Sequence, residues 1–252
     1  MTRKWVSVLR HGILSMCLVL MSSAALAEIE SDLSEAMRST IPPPKLKVSS
    51  WLLMDAATGL TLAAHRADTP VEPASLTKLM TAYVVFREIE RGTVKLDDVV
   101  LVSEKAWRSE GSRMFIEAGD KVQIKNLLMG LIVQSGNDSA VALAEHIAGS
   151  EEGFADLMNQ TAAELGMANS HFVNSAGMPH PDHYTTARDV TLLTRAIIDQ
   201  QPDHYAMYAI REFTWNDITQ KNRNPLLGRD SSIDGVKTGH TRSAGYCLVG
   251  SA

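Results

Sequence analysis

Helical periodicity is confined to the middle of this chain and strand signals to its two ends, and that segregation restricts the fold more than any other feature. After a polar stretch ending in Pro42-Pro43-Pro44, structure is expected to begin near Val48. Trp51 to Met54 form a short apolar run, Asp55-Ala56-Ala57-Thr58-Gly59 supplies turn chemistry, and Leu60 to His65 returns as a second run, which predicts a β-hairpin. Leu79, Met80, Ala82, Tyr83 and Phe86 then recur at helical spacing and predict a long, buried helix. From Val122 onward, Ile124, Leu127, Leu128, Leu131 and Ile132 predict a second helix that runs into Ser135. Further helices are expected over Ser139–Ala148, capped by Asn137 or Asp138 and closed by Gly149, over Phe154–Leu165 before Gly166, and from near Thr186 through Ile197. Strand signals resume at Glu212–Asn216, Ile218–Gln220, Ile233–Thr241 and Gly245–Gly250. Strands, then helices, then strands predict an α+β fold: an antiparallel sheet flanked by helices, with an inserted helical region, and not a parallel βαβ sheet.

Three short polar words lie on this framework: Ser75-Leu76-Thr77-Lys78, Ser135-Gly136-Asn137 and Lys237-Thr238-Gly239. Each alone is weak; all three, in this order and in these local contexts, point to a serine acyl-transfer site without a histidine base. A serine hydroxyl is a poor nucleophile at neutral pH and needs a base within hydrogen-bond reach. Ser75 and Lys78 are three residues apart, so both side chains share one helix face. Pro73 suits the first turn of that helix, where its missing N–H is not needed, and the serine then lies in the positive field of the helix N-terminus. A lysine titrating near ~10.4 cannot act as a base at neutral pH, so burial or a neighbouring cation must displace its proton. Lys237 is the cation the sequence offers.

The first 27 residues read as a cleaved export signal: Arg3, Lys4 and Arg10, an apolar run from Ile13 to Met21, and Ala25-Leu26-Ala27 before Glu28. The apolar run is too short to span a bilayer, and Cys17 follows Met16 inside it, which does not fit a lipoprotein signal. The expected destination is the periplasm or the outer face of the cytoplasmic membrane. Residues 28–47 read as an extended lead-in, and 48–252 as one catalytic domain. Cleavage leaves Cys247 as the only cysteine, in an apolar run that suggests a small core residue, so no internal disulfide is expected. It also removes three positive charges and no negative one, taking the formal net charge from −5 to −8. That acidic balance, without basic runs, argues against nucleic acid as a partner. His180-Pro181-Asp182-His183 contains metal-ligand residue types but lacks a zinc-peptidase spacing and reads as a solvated loop. No metal and no cofactor are expected.

These residues resemble the D-alanyl-D-alanine carboxypeptidases, the low-molecular-mass penicillin-binding proteins with a β-lactamase/transpeptidase-like fold. The likeness extends to Glu72-Pro73-Ala74, Gly111-Ser112-Arg113-Met114-Phe115, Ala187-Arg188-Asp189, Asn222-Arg223-Asn224 and Asp234 to Thr241, and covers about Val48 to Ala252. It implies that Ser75 forms an acyl-enzyme with the penultimate D-alanine carbonyl of peptidoglycan stem peptides while Lys78 takes its proton. It further implies that Ser135 relays a proton to the leaving amine, Asn137 holds the substrate amide, and Lys237 and Thr238 bind the peptide. Backbone N–H groups of Ser75 and His240 would hold the oxyanion. β-Lactams would be covalent inhibitors. A class A β-lactamase shares the scaffold, but Gly136 stands where that class prefers Asp, and no Glu-x-x-Leu-Asn segment lies between Asn137 and Lys237. A DD-endopeptidase and a non-turnover wall-binding or β-lactam-sensing protein carry the same three words.

In that family the chain continues past the strand that begins here at Gly245, and the next strand lies between it and the N-terminal hairpin. The resemblance therefore implies that the sequence is a fragment whose sheet has an unpaired gap, poorly stable and weakly active alone. An arginine on the substrate carboxylate, and a membrane-attaching helix, would then lie beyond Ala252.

Overall fold

The computed structural model describes residues 42–252. The signal-peptide expectation and most of the lead-in lie outside the described residues; Pro42 to Lys47 is exposed and without helix or strand. Residues up to His65 and residues Arg66–Ala252 form two units.

In the first unit, β1 (Trp51–Met54) pairs antiparallel with β2 (Thr61–His65), with a bulge between Leu53 and Met54. Asp55 Oδ1 accepts from Thr58 N at 2.8 Å and from Thr58 Oγ1 at 2.6 Å, so the aspartate closes the expected turn with its own side chain.

The second unit opens with a 3₁₀ turn, Ala74–Leu76, that leads into α1 (Thr77–Glu90). Every residue from Thr77 to Phe86 is buried, which makes α1 the central helix the apolar spacing predicted. Next come β3 (Val99–Leu101), α2 (Glu104–Trp107), β4 (Lys121–Gln123), α3 (Ile124–Met129) and a π-helical turn, Gly130–Gln134. The antiparallel β3–β4 pair corrects the reading of Val122 as helical: Val122 is a buried strand residue opposite Val100, and the helix starts two residues later. α4 (Asn137–Ala148), α5 (Glu151–Glu164) and α6 (Ala187–Gln200) follow, with Ser150 and Thr186 accepting from Gly153 N and Asp189 N as N-caps.

After α7 (Pro202–Tyr205), β5 (Glu212–Trp215) and β6 (Ile218–Lys221) form a hairpin whose two turn residues, Asn216 and Asp217, both have positive φ. β7 (Gly235–Thr241) and β8 (Gly245–Ser251) form the last antiparallel pair, with Lys237 opposite Val249 and Gly239 opposite Cys247. The fold is α+β, and all four ladders among the described residues are antiparallel and two-stranded. The core is built from α1, α3, α4 and α5, with Leu79, Phe86, Leu127, Leu143, Phe154 and Met158 fully enclosed. Side chains of this size each contribute about 1.5–3 kcal/mol when buried. Cys247 is half-buried against this core and carries a free thiol. No described helix is long and apolar enough to cross a membrane.

Candidate active site

Ser75 is half-buried just before α1, inside the 3₁₀ turn Ala74–Leu76. Ala74 has φ +47°, and Gly177 backs onto it so closely that a β-carbon there would lie 1.8 Å from Ala74 O. Lys78, one turn on, is 1% exposed. Its Nζ lies 3.2 Å from Ser75 Oγ and donates to Asn137 Oδ1 at 2.7 Å and to Ala176 O at 2.6 Å. The ammonium is held well below the usual lysine range, first by burial and then by the positive charges of Lys237 and Arg223, against the opposing charge of Asp138. Burial thus outweighs the cation that the sequence pointed to.

Three elements bring the remaining groups to this pair. Lys237 on β7 is 2% exposed, and its Nζ donates to Thr238 O at 3.0 Å. Burial, followed by the charge of Arg223, lowers it to about 7. Strand alternation leaves Thr238 partly open and His240 exposed, its ring 4.4 Å from the Tyr246 ring. Gly239 faces the nucleophile turn; a β-carbon at this position would come within 3.1 Å of Ser75 N and 3.3 Å of Leu76 N. The glycine of the third word is what lets a strand backbone approach the serine.

Ser135 ends the π-helical turn in a left-handed conformation, φ +65°. Its Oγ is buried with no hydrogen-bond partner among the described residues. A β-carbon on Gly136 would fall 2.7 Å from Asp138 Oδ1 and 2.8 Å from Ser139 Oγ, so a side chain there would have to displace one or both of these groups. Asn137, expected on the substrate amide, has both ends of its own amide engaged: Oδ1 by Lys78, and Nδ2 by Glu110 O at 2.5 Å, with Met178 Sδ at 3.6 Å.

The family profile for D-alanyl-D-alanine carboxypeptidase matches residues 37–252. The chain belongs to the D-alanyl-D-alanine carboxypeptidase family. It is 44% identical over 224 residues to the D-alanyl-D-alanine carboxypeptidase DacC of Escherichia coli, covering 86% of this chain and 56% of that protein. The chain thus spans about half the length of the curated relatives it matches. The crystal structure of the carboxypeptidase DacD from Francisella tularensis superposes with a TM-score of 0.82 at 37% identity, covering 84% of this chain and 64% of that one. Penicillin binding protein 6B from Escherichia coli gives a TM-score of 0.80 at 43% identity, covering 84% and 69%.

Within this carboxypeptidase family framework, several groups at the site carry no signal in the sequence. Ala176 contributes only a carbonyl, and so does Glu110. Asp138, expected as a helix cap, accepts instead from the backbone N–H groups of Met114, Phe115, Ile116 and Ser139, at 2.9 to 3.4 Å. It thereby fixes the Gly111–Phe115 segment beside Asn137, whose N donates to Ser112 O. Arg223 reaches the second word through Gln134 O at 2.9 Å. His183 corrects the solvated-loop reading. His180, Pro181 and Asp182 are exposed, but His183 is 2% exposed and lies 2.8 Å from Thr77 Oγ1. The described residues contain no cluster of metal-ligating side chains.

Proposed function

We propose that this chain carries the catalytic site of a serine-type D-alanyl-D-alanine carboxypeptidase that removes the terminal D-alanine from peptidoglycan pentapeptides. The reading rests on one observation, the surroundings of Lys78 Nζ. A neutral amine has two N–H donors and one lone pair. Asn137 Oδ1 and Ala176 O take up the donors, so the lone pair points to the third neighbour, Ser75 Oγ. Burial favours the neutral form. Lys78 then receives the Ser75 proton as the oxygen attacks the penultimate D-alanine carbonyl.

The oxyanion is held by the backbone N–H of Ser75 and of His240, each donor worth about 3 kcal/mol. Collapse of the intermediate breaks the peptide bond, and the unpartnered Ser135 Oγ passes a proton to the departing amine of D-alanine. Lys237 and Thr238 receive the substrate's terminal carboxylate end. Water then attacks the acyl-enzyme, returns a proton through Lys78 and frees Ser75. β-Lactams acylate the same oxygen. The basic, apolar and small-residue segments within residues 1–27 support a site working outside the cytoplasm, at the periplasmic face.

Incubation with a labelled penicillin followed by peptide mass spectrometry tests the assignment. The expected adduct is on Ser75, absent in Ser75→Ala and slowed by about a hundredfold or more in Lys78→Ala, in line with the loss of a general base. Release of D-alanine from a soluble pentapeptide, against cleavage of a cross-linked dimer, separates the carboxypeptidase from an endopeptidase. An adduct at another residue sinks the site.

A further inference from the structure

Among the described residues, His183 is a buried titratable group beside the nucleophile helix that the proposed mechanism does not use. Val173 N donates to its Nδ1 at 3.2 Å, so the ring proton resides on Nε2, which donates to Thr77 Oγ1 at 2.8 Å. The ring sits edge-on to Phe172, with centroids 5.6 Å apart. One side of this bridge is therefore the first turn of α1, between Ser75 and Lys78. The other is the segment after Phe172. That segment carries Ser175, whose carbonyl accepts from Thr81 Oγ1 at 2.6 Å, then Ala176, whose carbonyl accepts from Lys78, then Gly177 against Ala74.

We propose that His183 is a positioning residue for the acylation step: it ties the Val173–Gly177 segment to the head of α1 and so holds the Ala176 carbonyl on Lys78 Nζ. The inference rests on Lys78 being the base for Ser75. With the carbonyl in place, one amine hydrogen is committed and the lone pair stays on the serine; without it, the amine can rotate and water can enter. Water entry favours the ammonium, because burial is the largest cause of its depressed pKa, and this is the larger effect against the lost carbonyl acceptor, which acts the other way. The neutral ring suits the task. His183 is lowered to about 4, first by burial and then by the charges of His171, His180 and Lys78, so it keeps one acceptor and one donor throughout the neutral range. Around Lys78 the charged groups are Lys237, Asp138 and Arg223, none of which the bridge touches.

The test measures the rate of Ser75 acylation by a fluorescent penicillin as a function of pH in the full chain. The acid limb of that profile reports the loss of the neutral base. In His183→Ala the limb is expected to move up by about one pH unit, with acylation at neutral pH falling about tenfold. His183→Gln can accept from Val173 and donate to Thr77, and is expected to stay within about threefold of wild type with the limb unmoved. Thr77→Val, which removes the bridge from the other side, should shift the limb as His183→Ala does, and it decides the matter if His183→Ala does not fold. Leu193→Ala, a core truncation in α6, serves as the control: it lowers the melting temperature and leaves the limb in place. An unmoved limb in both His183→Ala and Thr77→Val, or a glutamine variant as damaged as the alanine one, overturns the proposal. Failure of the wild-type chain to acylate at Ser75 instead overturns the function on which it rests.

Discussion

Lys237 shows how a single residue can be useful and destabilising together. Its ammonium is lowered to about 7 by burial and the Arg223 charge. A base with a folded pKa below its unfolded one releases its proton on folding, so stability rises with pH from about 7 to the ordinary lysine range and is flat below. Lys237→Met removes that penalty. The variant is expected to melt higher than wild type at neutral pH, by the equivalent of about 1–3 kcal/mol, with the gap closing as the pH is raised. A lower melting temperature at neutral pH refutes this. Catalysis moves the other way: if the substrate carboxylate needs Lys237 charged, kcat/KM in the wild type has an alkaline limb near 7, measurable with a soluble peptide. The sequence made Lys237, Ser75, Lys78 and Ser135 legible because the proposed reaction draws on their side-chain chemistry. Ala176 and Glu110 stayed hidden because a carbonyl carries no residue identity, and His183 because its partner, Thr77, lies 106 positions away.

At the scale of elements, the buried carboxylate of Asp138 joins the start of α4 to the Met114–Ile116 segment through backbone N–H groups. Asp138→Asn turns half of that acceptor into a donor facing donors. The expected loss is about 1–3 kcal/mol of stability. Asn137, held by Ser112 O and Glu110 O from the same region, should loosen its hold on Lys78, so acylation by penicillin should slow as well. Denaturant melts paired with acylation rates check this; a variant as stable as wild type would show that the carboxylate is dispensable. The long helix α1 was legible because Leu79, Met80, Ala82, Tyr83 and Phe86 recur at helical spacing, and all of them are buried. The three-residue strands β3 and β4 were not, since so short a segment has no period to read and its pairing is set by a partner about twenty residues away. The π-helical turn that places Ser135 was equally silent, because its apolar residues continue the helical spacing of α3 while the backbone widens.

Across the whole molecule, the strand signals at the two ends carried the fold class although β3 and β4 interrupt the helical middle, while the choice between two chemistries on one scaffold turns on where the carboxylates are committed. Between Asn137 and Lys237 the chain has five glutamates. Glu145 accepts from Ser103 Oγ at 2.6 Å, and Glu151 from Ser175 while paired with Lys105. Glu152 pairs with Lys105, Glu164 with Arg87, and Glu212 is exposed on β5. Four are thus tied to partners away from Ser75, and none hydrogen-bonds to Ser75 or Lys78. An aspartate in place of Gly136 would have to push aside the Asp138 carboxylate or the Ser139 hydroxyl. None of these five glutamates is therefore engaged beside Ser75 as a dedicated base for a deacylating water, which leaves Lys78 alone for that step. The adduct is expected to persist, with hydrolysis far below the ~1–10³ s⁻¹ of ordinary enzyme turnover. Intact-mass measurement at intervals after removal of free drug follows this directly. Rapid recovery of the unmodified mass, or sustained nitrocefin hydrolysis, would show that some other group supplies the base and would return the site to the β-lactamase reading.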